Sequence, residues 1–325
     1  MRHAHTRLGS LVGAIALLTT ATPSFSQSRH TAVSDDGSAG APIEASVSSG
    51  GATTSAAPSA GVRRVTEPAL IAEGVFFDAE SRAEFQRLSA LPDGGERGLR
   101  TSESGAEVVI GMDTRERLYT TTYPSRAKVL ITFTGGRCSG TMIGPNAVAT
   151  AGHCVHTGGS AGAWRPRASF KIYPGRDGSA SPYGVCTARA LHSVIGWTTS
   201  ADEEYDYGAI KLNCTVGNTV GWFGMTTATP TNFPSIVGGY PGDKPLTQWQ
   251  SSDRVRALST RQAFYLNDTF DGMSGSAVWH DANGPYIFGI HAYGTHGAGN
   301  HALYNHGVRL VTAVYDNLVA WKNAP

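Results

Sequence analysis

Apolar residues in the last two thirds of the chain occur in short runs that end in turn-forming residues. These runs read AKVLITF, TMIGPNAVAT, ASFKIYPG, YGAIKLN, SIVGGYPG, SAVWH and YIFGIHAYG, and they are bounded by Gly, Pro, Asn and Asp. Runs of this length at close spacing are typical of antiparallel strands in a sandwich or barrel. A helix is predicted at 312–321 (TAVYDNLVAW), where apolar residues fall at helical spacing. The pattern predicts an all-β fold with a C-terminal helix.

Residues 1–26 have the features of a secretory signal peptide. Arg2 and Arg7 give a positive start, LGSLVGAIALL forms an apolar core, and Ser24-Phe25-Ser26 resembles a cleavage site. The apolar core falls well short of the roughly 20 residues that span a bilayer. We therefore expect cleavage near Ser26 and a secreted product that is not attached to a membrane.

Residues 27–107 are predicted to be a pro-segment. Between 27 and 60 the chain is mostly Ser, Ala, Gly and Thr, so it buries too little apolar surface to offset backbone entropy, and we expect disorder there. Between 62 and 99 apolar and charged residues are scattered, with one helix predicted around 78–90. An ordinary small domain is the alternative, but a pro-segment suits an exported chain better.

Net charge and cysteine content limit which binding partners and which cross-links we expect. The net charge is +1 and no basic run stands out, which gives no support to nucleic-acid binding. An exported chain can pair its four cysteines in two disulfides, with three possible connectivities. They are Cys138, Cys154, Cys186 and Cys214. None shows the C-x-x-C spacing of zinc sites, so a metal role is disfavoured.

Three motifs carry the residue types of serine nucleophilic catalysis. His153 lies in TAGHC, Asp206 directly precedes the strand pattern YGAIKL, and Ser274 lies in a Gly-x-Ser-Gly turn. Each motif alone also fits an ordinary loop or turn. Together they supply a nucleophile, a base and an acid that orients the base. The order His, Asp, Ser is that of chymotrypsin-like proteases and differs from subtilisin and the α/β-hydrolases.

From residue 108 to about 322 the chain resembles the glutamyl endopeptidases, a bacterial-type branch of the trypsin/chymotrypsin-like serine proteases. The motifs that agree in type, order and spacing are VIGMDTRERL, MIGPNAVATAGHCV, YDYGAIKL, GNTVGWFG, GYPGDK, TQWQ and DNLVAWKN. The resemblance implies a mature domain over 108–325, folded as two six-stranded antiparallel β-barrels with the active site between them. It implies protein and peptide substrates, a monomer and no cofactor. A structural calcium ion stays open, because no ligand cluster is specific enough to name.

The resemblance also assigns roles. Ser274 would be the nucleophile, His153 the general base and then acid, and Asp206 the residue that orients His153. The backbone N–H groups of Gly272 and Ser274 would form the oxyanion hole. Cys138 and Cys154 have the spacing of the family's histidine-loop disulfide, which leaves Cys186 and Cys214 as the second pair.

His291 stands in the middle of the apolar run FGIHAYG, where a satisfied core histidine is the alternative to a functional one. The resemblance puts it in the primary specificity pocket, donating a charge-assisted hydrogen bond to a substrate glutamate. Thr269 would donate a second bond. The mature chain would begin at Val108, whose freed amino group adds positive charge near the pocket. Because Glu107 precedes it, we hypothesise that the protease processes itself.

Some positions depart from the family pattern. Met273 stands before the nucleophile, where trypsin-like enzymes carry aspartate, so activation through a salt bridge at that side chain is excluded. Asp271 would repel an acidic substrate and weaken the glutamate preference. Ala277 replaces a common proline, which we expect to be neutral.

A second group of histidines and two rival functions complete the sequence-based picture. His296, His301 and His306 lie five apart in a Gly-rich stretch and are interpreted as solvated loop histidines rather than metal ligands. A protease of the same fold with broader specificity is one rival function. A catalytically silent secreted binding module is the other, and the complete triad argues against it.

Overall fold

The computed structural model of the chain describes residues 28–37, 71–72, 108–229, 232–281 and 284–325. The predicted signal peptide, the predicted helix around 78–90 and Glu107 lie outside these residues. In the described part, no helix is both long and apolar enough to cross a membrane. The short runs after residue 108 form strands, as their pattern predicts.

The first barrel closes from six antiparallel strands in the order β8-β7-β4-β5-β6-β9, and a further β8–β9 pairing completes the ring. Their bounds are β4 (Lys128–Phe133), β5 (Gly136–Gly144), β6 (Ala147–Thr150), β7 (Lys171–Pro174), β8 (Cys186–Val194) and β9 (Gly208–Leu212). Strands β4, β6 and β9 are buried almost throughout. Because pairing closes the ring, the six strands leave no open sheet edge among themselves.

The second barrel closes in the order β14-β11-β12-β13-β16-β15, with a β14–β15 pairing between its ends. Its strands are β11 (Pro234–Gly239), β12 (Trp249–Leu258), β13 (Gln262–Tyr265), β14 (Ala277–Asp281), β15 (Pro285–Tyr293) and β16 (Asn305–Arg309). Short strands extend this sheet: β2 (Ile71–Ala72), β3 (Glu116–Arg117) and β10 (Gly224–Thr226). The predicted double six-stranded barrel is confirmed.

The helices of the described residues are few and short. They are α1 (Ile195–Thr198), α2 (Gly217–Val220), α3 (Asn300–Leu303) and α4 (Thr312–Asn323). The predicted C-terminal helix is confirmed as α4, which buries Val314, Leu318 and Trp321 on one face. Lys211 of β9 donates its Nζ to Lys322 O at 2.9 Å, so a cation satisfies the carbonyl end of this helix.

Both disulfides lie in the first barrel and follow the pairing that the resemblance implied. Cys138 of β5 joins Cys154, with 6.1 Å between their Cα atoms, and thereby fixes the turn that carries His153. Cys186 of β8 joins Cys214, with a Cα separation of 5.9 Å. Both separations lie in the usual range for a disulfide.

The expectation of disorder between 27 and 60 is wrong for residues 28–37. Strand β1 (Ala32–Ser34) pairs antiparallel with β8, in the register Ala32↔Val194 to Ser34↔His192. A strand added to a sheet is held by its backbone, so low side-chain hydrophobicity does not prevent it from ordering. The other residues of that stretch lie outside the described part of the chain.

Candidate active site

His153 lies in a tight 3-10 turn, Gly152–Cys154, that directly follows β6. The turn needs glycine at 152, because a Cβ there would lie 2.8 Å from the Trp197 ring and 2.9 Å from Asp206 Oδ1. On the other side, Arg165 Nε donates to His153 O at 2.9 Å. The imidazole is therefore held by its backbone on both sides and by the adjoining disulfide.

Asp206 is fully buried beside this histidine and accepts hydrogen bonds on both carboxylate oxygens. Oδ1 accepts the His153 backbone N–H at 2.7 Å, and Oδ2 lies 2.7 Å from His153 Nδ1. The hydroxyl of Tyr293 also donates to Oδ2. The carboxylate is therefore held in place by two contacts with His153 and one with Tyr293. With Nδ1 bonded to Asp206, Nε2 is the ring nitrogen left for proton transfer.

Ser274 sits in a compact turn that is pressed against the first barrel. Its carbonyl oxygen accepts the Ser139 N–H at 2.9 Å and lies 3.7 Å from Cys154 Sγ, next to His153. Gly275 has φ +85°, and a Cβ there would approach Thr150 Oγ1 to 2.1 Å. Only glycine permits this close approach. The turn therefore brings the proposed nucleophile to the loop that carries the histidine–aspartate pair.

The peptide between Asp271 and Gly272, which the resemblance places at the oxyanion hole, is held by a hydrogen bond. Asp271 O accepts the Gly242 N–H at 2.5 Å, so the Gly272 N–H of the same planar peptide points the opposite way. Gly272 O in turn accepts from Ser139 Oγ at 2.8 Å, which fixes the next peptide. Gly272 has φ +98°, and a Cβ there would lie 2.8 Å from Tyr240 O, so this position also requires glycine.

His291 is fully buried on β15, directly behind the Ser274 turn. Its carbonyl accepts the Gly275 N–H at 2.7 Å, and its own N–H donates to Ser276 O at 2.9 Å. Its Nδ1 lies 2.7 Å from the Tyr265 hydroxyl, inside the second barrel. Nε2 is thus on the ring edge that faces away from Tyr265.

Thr269 and Val108 meet next to this strand. The Thr269 N–H donates to Val108 O at 3.2 Å, and Asn305 Nδ2 donates to the same oxygen at 2.8 Å. The Thr269 hydroxyl is buried and has no hydrogen-bond partner among the described residues. The structure therefore brings the residue predicted to become the new N-terminus to the predicted pocket threonine.

The departures from the family pattern have distinct surroundings. Met273 is fully buried in an apolar cluster of the second barrel. The segment after Val108 is instead anchored at buried Asp268, which accepts the Ile110 N–H at 2.8 Å and the Thr114 N–H at 2.8 Å. Asp271 is exposed and Ala277 is buried at the start of β14.

The interpretation of the three later histidines as solvated is wrong for His306, while His296 and His301 are partly exposed. His306 lies on β16 with a side chain that is 0% exposed, and His296 is only 25% exposed. Burial lowers the pKa of His306 and of His301. The sequence contains no local sign of this, because strand pairing and the return of the loop bring the rings together.

Tyr293 is a second residue that sequence reasoning missed. It lies 87 positions from Asp206 in the chain, yet its hydroxyl donates to that carboxylate. Burial and the charge of Asp206 raise the pKa of Tyr293 far above its usual value, so its hydroxyl keeps its proton. Its position two residues after His291 was the only available signal.

Comparisons with known proteins identify the family of the chain. Residues 118–315 match the trypsin family. Over 226 residues the chain is 39% identical to a glutamyl endopeptidase of Bacillus licheniformis, covering 66% of this chain and 69% of that protein. Over 241 residues it is 37% identical to a protein of Bacillus subtilis strain 168 named extracellular metalloprotease, covering 70% and 73% of the two chains.

Solved structures give the same result. A Glu endopeptidase in complex with MPD matches with a TM-score of 0.61 and 32% identity, covering 67% of this chain and 100% of that one. The protease Anisep from Arthrobacter nicotinovorans shares the fold, with a TM-score of 0.53 and 20% identity over 64% of this chain and 99% of that one. The chain therefore belongs to the trypsin family of serine proteases and is similar to the glutamyl endopeptidases.

Proposed function

We propose that the protein is a secreted endopeptidase that cleaves after glutamate, and less readily after aspartate, through an acyl-enzyme. The observation that carries this proposal is His291, buried behind the nucleophile turn with Nδ1 bonded to Tyr265. A histidine here gives the pocket a donor for a carboxylate without the permanent charge of arginine or lysine. The likeness to a protein named glutamyl endopeptidase supports the same specificity.

In the first half of the proposed reaction, Ser274 Oγ attacks the carbonyl carbon and its proton passes to His153 Nε2. Asp206, bonded to Nδ1 at 2.7 Å, stabilises the imidazolium that forms. The N–H groups of Gly272 and Ser274 would donate hydrogen bonds to the oxyanion. Losing one such donor costs on the order of 3 kcal/mol of transition-state stabilisation. The imidazolium then returns its proton to the leaving amine as the C–N bond breaks.

In the second half, water attacks the acyl-enzyme ester and His153 Nε2 takes one of its protons. The C–O bond to Ser274 breaks, and the proton returns to Ser274 Oγ as the acid product leaves. The exposed edge of His153, whose side chain is 26% accessible, suits the entry of that water.

The pocket donors would act on the substrate carboxylate together. His291 Nε2–H would give one hydrogen bond, and the buried Thr269 hydroxyl, which has no partner in the described part of the chain, would give another. Charge-assisted bonds of this kind are about twice as strong as neutral ones. The Val108 amino group, freed by cleavage after Glu107, would add a positive charge beside Thr269.

Broader specificity is the second candidate, and exposed Asp271 in the nucleophile turn favours it. A carboxylate close to the cleft repels an acidic substrate. It therefore reduces the ratio of kcat/KM for glutamate to kcat/KM for neutral residues.

The experiment incubates the mature protein with a peptide library and maps the positions at which the peptides are cut. The proposal predicts that most cuts fall after glutamate, with a minority after aspartate. Cleavage mainly after hydrophobic or basic residues would reject the specificity, and no cleavage by correctly processed protein would indicate a silent binding module. One relative is named a metalloprotease, so the map is repeated with a chelator and with a serine-directed inhibitor. We expect only the inhibitor to abolish cleavage.

A further inference from the structure

A glutamate and three histidines meet where the two barrels face each other, outside the catalytic residues. Glu203 comes from the first barrel, in the turn Glu203–Tyr205 that leads into Asp206. His306 lies on β16 of the second barrel, and His296 and His301 lie in the segment between β15 and β16. We call these four residues the interbarrel cluster.

The distances within the interbarrel cluster are short. Glu203 Oε2 lies 3.1 Å from His296 Nε2 and 3.8 Å from His306 Nε2. Glu203, His301 and His306 each offer a ligand atom within 4.8 Å of the other two. The ring centroids of the three histidines are 4.7 to 5.5 Å apart. Glu203, His301 and His306 therefore converge on one small volume, and His296 reaches it through its contact with Glu203.

The outer nitrogen of each ring is bonded in a way that directs the other nitrogen inward. His296 Nδ1 lies 3.2 Å from Gly294 O, and His306 Nδ1 lies 3.4 Å from Tyr304 O. His301 Nε2 lies 3.0 Å from Gln262 Oε1. Histidine ligands of metals usually donate their second N–H to such an oxygen, which fixes both tautomer and orientation.

A simple ion-pair network between the barrels accounts for only part of this arrangement. It gives Glu203 a hydrogen-bond partner in His296, but buried His306 Nε2, at 3.8 Å from Glu203 Oε2, lies beyond hydrogen-bond distance and has no hydrogen bond in the described part of the chain. Three protonated imidazoles at this spacing would also repel one another. A metal ion between Glu203 and the ring nitrogens would give His306 Nε2 the partner that the ion-pair network does not.

We propose that the interbarrel cluster binds a divalent transition-metal ion of the zinc class and thereby ties the two barrels together. Imidazole nitrogens and one carboxylate are preferred ligands of Zn²⁺, whereas Ca²⁺ and Mg²⁺ prefer oxygen throughout. Bonds of about 2.1 Å in a tetrahedral site put ligand atoms about 3.4 Å apart. The observed ligand atoms, which lie within 4.8 Å of one another, would have to move closer by side-chain rotation to reach that spacing.

The interbarrel cluster is connected to the catalytic residues. Tyr293 stacks on His306 with centroids 5.4 Å apart and donates its hydroxyl to Asp206. Glu203 lies three positions before Asp206 on the same loop. A metal here would therefore hold the two halves of the active site at the same edge of the cleft.

The test uses protein carrying Ser274→Ala, which prevents self-digestion, matured with an added protease and then freed of metals with a chelator. Zn²⁺ is titrated in by calorimetry, and Co²⁺ is added to record the visible absorption of a tetrahedral site. We expect one equivalent of Zn²⁺ to bind. At 100 times its dissociation constant, Zn²⁺ should raise the thermal unfolding midpoint by about 5–10 °C, with no such effect of Mg²⁺ or Ca²⁺.

Matched variants separate the interbarrel cluster from other histidines. Glu203→Gln and His301→Gln are partly exposed positions, so each variant should fold, bind Zn²⁺ at least tenfold more weakly and lose the midpoint shift. His153→Ala should bind as before, which excludes the catalytic histidine. Absence of stoichiometric Zn²⁺ binding, or binding that both cluster variants retain, would overturn the proposal. This result is independent of the proposed specificity, because the titration measures no cleavage.

Discussion

At the scale of single residues, Tyr293 and Tyr265 hold the surroundings of His153 and His291, the two histidines proposed to act in catalysis and in specificity. Tyr293 contacts the carboxylate that orients His153, and Tyr265 contacts Nδ1 of His291. The family resemblance and its motifs assigned roles to both histidines, although the apolar run around His291 also fits a core histidine. They did not identify the tyrosines, since a hydrogen bond across 26 or 87 positions leaves no local pattern.

Replacing Tyr293 by Phe removes one donor from the Asp206 carboxylate while keeping the ring. A hydrogen bond to a charged group contributes about 1.5–3 kcal/mol, so we expect kcat to fall about 10- to 100-fold. KM should change little, because Asp206 does not contact the substrate. Steady-state kinetics on a glutamate substrate measures both constants. A kcat within twofold of the unaltered enzyme would show that the other bonds of Asp206 suffice.

Replacing Tyr265 by Phe removes the hydroxyl that fixes the His291 tautomer. We expect kcat/KM for a glutamate substrate to fall about tenfold relative to the matching glutamine substrate. Tyr123→Phe is the control, because Tyr123 is equally buried and its hydroxyl donates to Trp222 O at 2.8 Å, outside the strands of both barrels. It should lose comparable stability without a change in the substrate ratio. Equal ratios in the two variants would limit Tyr265 to a structural role.

At the scale of elements, helix α4 and strand β1 show what local pattern can and cannot predict. Helix α4 was predictable because its apolar residues recur on one face and pack on the barrel. Strand β1 was not predictable, since backbone groups hold it on β8. Residues beside β1 make further backbone hydrogen bonds that amino-acid composition cannot predict. One is the bond from the Ile195 N–H to Thr31 O, at 3.0 Å.

His30 makes the attachment of residues 28–37 sensitive to pH. Its Nδ1 lies 3.0 Å from the Tyr207 hydroxyl and its ring lies 4.7 Å from that of Tyr205. Burial, with a further contribution from the positive charge of Arg261, lowers the pKa of His30 from 6.5 to about 4. The attached form therefore prefers the neutral ring. Its stabilising effect is full above pH 6.5 and declines as the pH falls toward about 4.

The comparison that tests this uses Ser274→Ala protein spanning residues 27–325 and the same protein spanning 38–325. At pH 7 the longer chain should unfold a few degrees higher, at about 2–4 °C per kcal/mol for a domain of this size. The difference between the two unfolding midpoints should shrink as the pH falls from 6.5 to 4. In His30→Phe, which keeps an aromatic ring but cannot titrate, the difference should shrink less. Equal midpoints at pH 7 would mean that β1 adds no stability.

At the scale of the whole molecule, the strand runs predicted an all-β fold, but they did not fix how the strands close. Antiparallel runs of this length fit both a sandwich and a barrel, and only the family resemblance specified two six-stranded rings. Closure depends on pairings between distant strands, such as β14 with β15 and β8 with β9. The same long-range closure assembles the site from both barrels.

Processing of the whole chain gives a separate prediction. If the protease releases its own pro-segment, Glu107→Gln should leave the secreted protein unprocessed at Val108. The residue before the cut would then lack the carboxylate that the pocket is proposed to bind. Glu103→Gln, four positions earlier, should mature normally. N-terminal sequencing of the secreted forms is the measurement. Normal maturation of Glu107→Gln, or of Ser274→Ala without added protease, would contradict self-processing.

The most direct measurement of the central claim is the ratio of kcat/KM for two substrates that differ only in glutamate or glutamine before the cut. Unaltered mature enzyme should strongly favour glutamate. In His291→Ala, kcat/KM should fall by the equivalent of a few kcal/mol of transition-state stabilisation for the glutamate substrate and little for the glutamine substrate, because only the charged side chain loses its partner. A ratio that His291→Ala leaves unchanged would contradict the account, since the buried histidine would then be structural and specificity would arise elsewhere.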